Sequence, residues 1–86
     1  MQPTPRQIEE ARLLVYRLER ISADSIWARR ASGLRGNLLK WIERYDQLQI
    51  EKDESLCWSD QEIEKFSFII KSGYKILENA ARERLR

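Results

Sequence analysis

The stretch that decides the fold lies between Ile26 and Leu48 and reads IWARRASGLRGNLLKWIERYDQL. Its apolar residues follow a 4-3-4-3-4-3 spacing, which takes in Trp27, Ala31, Leu34, Leu38, Trp41, Tyr45 and Leu48. Apolar side chains at this spacing share one side of an α-helix and form the seam of a helical bundle. Leu39 and Ile42 widen the apolar stripe, so we expect this helix to contact two neighbours.

Helices are predicted on both sides of this stretch. Thr4, Pro5 and Gln7 fit a capping box with proline at the first helical position, so a first helix should begin at Pro5. Ser59 and Glu62 fit a second capping box, which indicates the start of a third helix. The sequence therefore predicts an all-α protein, an antiparallel three-helix bundle in a single domain over residues 1–86, with helices at about 5–22, 25–50 and 60–83.

Two glycines, Gly33 and Gly36, lie in the second predicted helix and away from its apolar seam. A glycine in a helix interior costs about 1 kcal/mol relative to alanine. One interpretation is that these small residues leave a shallow groove in which a partner helix or a phosphate chain could lie. The alternative is a break of the second helix near Gly33–Gly36, with Gly33 as a left-handed cap and four short helices as the result.

Basic side chains surround the two glycines. Residues 26–44 contain five cations and one acid, whereas residues 45–64 contain seven acids and one cation. Cations in the first half of a helix are disfavoured by the helix dipole, so helix stability does not explain their position. We therefore predict an interaction surface made of Arg29, Arg30, Ser32, Gly33, Arg35, Gly36 and Lys40.

Charge is also expected to separate along the bundle, because antiparallel helices bring the start of one beside the end of the next. The basic pole would contain Arg17, Arg20, Arg29, Arg30, Arg82, Arg84 and Arg86. The acidic pole would contain Asp46, Glu51, Asp53, Glu54 and Asp60. Such a charge distribution could steer an acidic partner to the basic pole, or favour head-to-tail self-association.

The first predicted helix is much shorter than the other two, so it cannot cover both along their full length. We expect some apolar surface to stay open near Tyr45, Leu48, Ile50 or Phe68. A kink at the glycines that folds the second helix back would remove this mismatch. The three tryptophans are expected to pack in the core.

Catalytic chemistry is poorly represented in this chain. It has no histidine and one cysteine, Cys57, so neither a zinc ligand set nor a Ser/His or Cys/His pair can be built. Carboxylate pairs such as Glu62 with Glu64 are expected to be solvated helix surface. We therefore expect no enzymatic activity and no cofactor. The lone cysteine, together with the lack of a signal sequence or a long apolar run, predicts a cytoplasmic protein.

These observations favour a small, non-enzymatic module for protein–protein interaction, with a homodimer as one form of that interaction. The alternative is a nucleic-acid-binding protein that uses Arg29, Arg30, Arg35 and Lys40 against phosphates. The net charge of only +2 makes nucleic acid the less favoured partner. A helix-turn-helix would place Gly33 in its turn, but Arg29 stands where that motif generally has a small residue.

Overall fold

The computed structural model describes residues 3–21, 23–51 and 57–84. Three helices, α1 (Pro5–Glu19), α2 (Ala28–Glu51) and α3 (Asp60–Arg84), contact one another in all three pairs. Side-chain contacts show that helices consecutive along the chain are antiparallel, since Glu19 meets Arg35 and Ser25 meets Glu83. The all-α three-helix bundle that the sequence predicts is confirmed, and the described residues contain no strand.

Helix α1 begins where its capping box predicts. The Thr4 hydroxyl accepts a hydrogen bond from the Gln7 backbone, and the Gln7 side chain accepts one from the Thr4 backbone. The helix ends at Glu19 and is therefore shorter than the predicted span to residue 22. Its last turn tightens, because the Ile21 amide donates to the Leu18 carbonyl and the chain then leaves the helix axis.

Helix α2 begins at Ala28, later than the predicted start at residue 25. Ser25 belongs to the preceding turn, where its hydroxyl accepts a hydrogen bond from the Trp27 amide and donates one to the Glu83 carboxylate. The alternative of a break near Gly33–Gly36 is wrong, because α2 runs without interruption to Glu51. The two glycines together cost about 2 kcal/mol, which burial of a single leucine side chain approximately offsets.

The core follows the seam of α2. Its Ala31, Leu38 and Ile42 are buried among the apolar stripe of α1 and that of α3. Leu48 is buried as well and Tyr45 packs against the core, contrary to the expectation of open surface there. The open apolar surface expected from the mismatch in helix length is found at the other two positions named for it. Ile50 is 82% exposed and Phe68 is 70% exposed.

Three aromatic rings pack together between the middle of α2, the segment that precedes α3 and the first turns of α3. Trp58 is buried, with its ring centroid 4.9 Å from that of Trp41 and 5.1 Å from that of Phe66. The expectation that the tryptophans lie in the core therefore holds for Trp58. Trp41 is half-buried at the edge of the core, and Trp27 is half-buried and does not belong to it. No helix among the described residues is long and apolar enough to span a membrane.

Candidate functional site

The predicted interaction surface lies on the side of α2 that points away from the core. Arg29, Gly33, Gly36, Lys40 and Glu43 follow one another at helical spacing, so they form a single stripe. We call these five residues the α2 outer face. A Cβ atom added at Gly33 or Gly36 would meet nothing within 4 Å. Packing among the described residues therefore does not require glycine at either position.

The charged residues of the α2 outer face have no partners among the residues that the structure describes. Arg29, Lys40 and Glu43 are exposed, and none of their side chains makes an ion pair or a hydrogen bond with the described residues. Ser32 is exposed beside them. The structure thus brings five of the seven predicted surface residues together on an open helix side.

The other two predicted residues are turned towards neighbouring groups. Arg35 forms an ion pair with Glu19 of α1 at 3.2 Å, and Arg30 lies over the Trp27 ring at 5.3 Å. Both contacts sit at the flanks of α2, where its outer side gives way to the packed side. Sequence spacing could have indicated this difference, because both residues lie off the stripe that Arg29 and Lys40 share.

The basic pole exists in part. The contact between Ser25 and Glu83, at 2.8 Å, places the end of α3 beside the start of α2. Two of its arginines are engaged locally, since Arg82 pairs with Glu78 and Arg20 donates a hydrogen bond to the Tyr16 hydroxyl. Arg86 lies outside the described residues.

In the acidic pole, Asp53 and Glu54 also lie outside the described residues, and Asp46 pairs with Arg12 of α1 at 2.6 Å.

A second surface feature, which the sequence did not single out, is a groove of about 480 Å³ between α2 and α3. We call it the α2–α3 groove. It is lined by Asn37, Trp41, Gln61, Glu64, Lys65, Phe68 and Ile69. The exposed ring of Phe68 stands at its edge. The only signal for it in the sequence is that Phe68 falls off the main apolar stripe of the third helix.

Arg44 is one of the five cations of residues 26–44, and it connects α2 to α3. Its guanidinium group forms an ion pair with Glu62 and donates a hydrogen bond to the Cys57 carbonyl. It also lies 5.6 Å from the Trp58 ring. Hydrogen bonding to Arg44, helped by the Ser59 amide of the capping box, lowers the pKa of Glu62 to about 2. Glu62 is therefore a half-buried structural partner, contrary to the expectation of a solvated carboxylate.

The described residues offer apolar and charged surfaces for binding. Cys57 is half-buried, and no three His, Cys, Asp or Glu side chains in this part of the chain are grouped so that they could hold a metal ion. Comparisons with protein-family models, curated proteins and solved structures find no match. The fold and its surface therefore define the protein as a three-helix bundle with an open, charged helix side.

Proposed function

We propose that the protein is a non-enzymatic helical module that binds another protein through the α2 outer face. The observation that carries this proposal is the space at Gly33 and Gly36. Both glycines weaken a helix that continues through them, and nothing in the described residues occupies the space that their missing side chains leave. A partner backbone can therefore approach α2 more closely here than at any position with a larger side chain.

The charges around the glycines indicate the chemistry of the partner. Arg29 and Lys40 lie eleven residues apart on the same stripe, one beyond each glycine. This spacing corresponds to about 16 Å along a helix. Neither cation has a partner in the described part of the chain. We expect the bound element to be a helix or an extended segment with carboxylates near both cations.

Affinity capture from cell extract with two charge-reversed variants tests this function. Arg29→Glu with Lys40→Glu reverses the α2 outer face, and Lys71→Glu with Lys75→Glu reverses two exposed lysines of α3 as a matched control. We expect proteins retained by the wild type to be lost with the α2 variant and kept with the α3 variant. Circular dichroism should show unchanged helicity for both. Equal retention by both variants would contradict the proposal.

Nucleic acid is supported less well as the partner. Of the four cations proposed to meet phosphates, Arg35 is held by Glu19 and Arg30 lies over Trp27. That leaves Arg29 and Lys40 as the cations without a partner among the described residues, and two cations on one helix side provide a weak phosphate site. Anisotropy of labelled DNA and RNA at about 50 and 200 mM salt would decide the question, since phosphate binding falls steeply over that range. Tight, salt-sensitive binding that Arg29→Glu abolishes would favour the nucleic-acid function.

A cytoplasmic location is part of the same proposal. It is supported by the single cysteine of the sequence, which has no second cysteine in the chain with which to form a disulfide. Fractionation of cells that express a tagged chain tests it. Recovery in a secreted fraction would overturn this part of the proposal.

A further inference from the structure

Two charges of the α2 outer face, those of Arg29 and Glu43, lie at equal distances on either side of Gly36. Arg29 lies seven residues before this glycine and Glu43 lies seven residues after it. Seven residues are close to two helical turns, so each charge is about 10.5 Å from Gly36 along the same helix side. Both side chains are exposed and make no ion pair within the described residues. One side of a single helix thus carries opposite, unpartnered charges at equal distances from a residue without a side chain.

We propose that the partner of the α2 outer face is a second copy of this chain, bound antiparallel with the two-fold axis at Gly36. This inference rests on the proposed function, because it names the partner of the same surface. In a two-fold contact, residue i of one copy meets residue j of the other, and j meets i. Arg29 of each copy therefore lies opposite Glu43 of the other. The contact contains this ion pair twice.

Charge favours this register over the one that is centred between the two glycines. With the axis at Gly36, Lys40 of each copy lies opposite the exposed Ser32 of the other. An axis midway between Gly33 and Gly36 would instead place Arg29 opposite Lys40, and two like charges would meet twice. Gly36 faces itself across the axis, where the missing side chains let the two helices come close.

The contact is expected to be weak and sensitive to salt. A single helix side buries less than the roughly 1,200 to 2,000 Å² of a standard stable interface. Exposed ion pairs add little each and are screened by salt. The dimer should therefore form at high micromolar concentrations and low ionic strength, and it should dissociate as salt is added.

Sedimentation equilibrium at low salt, over concentrations up to about 1 mM, measures dimerisation of the wild type and of two charge-reversed variants, alone and mixed. Arg29→Glu places two acids opposite each other, and Glu43→Arg places two cations opposite each other. For each variant alone, the dissociation constant of the dimer should be at least about fivefold higher than that of the wild type. An equimolar mixture of the two variants should recover affinity, because each copy of one variant can pair with a copy of the other. In that heterodimer both contacts between positions 29 and 43 join an acid to a cation. Lys71→Glu, on the outside of α3, is the matched control and should leave dimerisation unchanged.

A cysteine cross-link tests the register. In a Cys57→Ser background, Gly36→Cys should form a disulfide between copies on mild oxidation, since the two thiols meet at the axis. Lys71→Cys in the same background should remain monomeric.

A monomer at all concentrations, or a mixture that binds no better than either variant alone, would overturn the second-copy inference. Neither result bears on the capture experiment. If capture shows loss with the α2 variant while sedimentation shows a monomer, the proposed function survives and the partner is a different protein.

Discussion

At the scale of single residues, the three glycines of this chain occupy two opposite environments. Gly33 and Gly36 point into open space, whereas Gly73 of α3 lies against α1. A Cβ atom at Gly73 would be 3.1 Å from Leu14 Cδ1 and 3.3 Å from Leu14 Cδ2. Leu14 is fully buried, so it has little freedom to move away. Packing therefore requires glycine at position 73, and not at Gly33 or Gly36.

Alanine substitutions should reveal this difference as opposite signs. Gly33→Ala and Gly36→Ala should each raise the free energy of unfolding by about 0.5 to 1 kcal/mol, since a better helix former enters open space. Gly73→Ala should lower it by about 1 kcal/mol, because overpacking against Leu14 exceeds the gain in helix propensity. Urea denaturation followed by circular dichroism measures all three. A stabilised Gly73→Ala variant would show that Leu14 can adjust.

Trp58 allows a second test at this scale. Its ring is buried between Trp41 and Phe66, and its Nε1 atom has no hydrogen-bond partner in the described structure. Trp58→Ala should cost about 3 to 5 kcal/mol through the cavity it leaves. Trp58→Phe should cost less than about 2 kcal/mol, because it keeps a ring and removes an unpaired polar group. Equal losses in urea denaturation would mean that the indole N–H has a partner.

At the scale of secondary structure, the start of α3 depends on one carboxylate. Glu62 accepts a hydrogen bond from the Ser59 amide and pairs with Arg44 of α2, so it closes the helix cap and holds two helices together. These contacts hold its pKa at about 2 in the folded protein, against an ordinary value of 4.5. A carboxylate with a lowered pKa stabilises the fold above its ordinary pKa, and that contribution is lost as the pH falls towards the folded value.

Thermal melts of the wild type and Glu62→Gln between pH 7 and pH 2 test this dependence. We expect the wild type to have the higher Tm at neutral pH, and the difference to shrink as the pH falls from about 4.5 and to vanish near pH 2. Glu64→Gln, an exposed neighbour on the same helix, is the control and should not change this profile. A constant difference across the range would show that the ionised form of Glu62 is not responsible.

At the scale of the whole molecule, the bundle is long and narrow. Its extents are 49 × 19 × 18 Å and its radius of gyration is 14.1 Å, against about 12 Å for a compact domain of this length. Two helices of 24 and 25 residues set the long dimension, and the 15-residue α1 cannot cover both. The shape leaves much of the helix surface open, including the α2 outer face and the edge of the α2–α3 groove.

The exposed ion pairs between α1 and α2 should contribute less to the free energy of unfolding than the buried core does. Asp46→Asn and Glu19→Gln, which break the pairs with Arg12 and Arg35, should each cost less than about 1 kcal/mol. Leu38→Ala should cost about 2 to 5 kcal/mol, because the side chain is fully buried. Urea denaturation at low and high salt measures these losses. A loss above about 2 kcal/mol from either exposed pair would contradict this ranking.

What the sequence by itself determined was the all-helical type of the fold and the approximate positions of its helices. The capping boxes at Thr4 and Ser59 and the heptad seam of α2 are local patterns, and the backbone satisfies them within one or two turns. The stripe shared by Arg29, Gly33, Gly36 and Lys40 follows from helical spacing in the same way.

Only the tertiary structure decided whether α2 continues through its glycines, because the answer depends on how much Leu38 and its neighbours gain by packing. It also separated cations that look alike in the sequence. Arg35 and Arg44 meet carboxylates of other helices, whereas Arg29 has no partner in the part of the chain that the structure describes. The physical reason is that a long-range ion pair requires two helices to be placed at a particular rotation and height. That placement is set by the complementary packing of all three apolar stripes together.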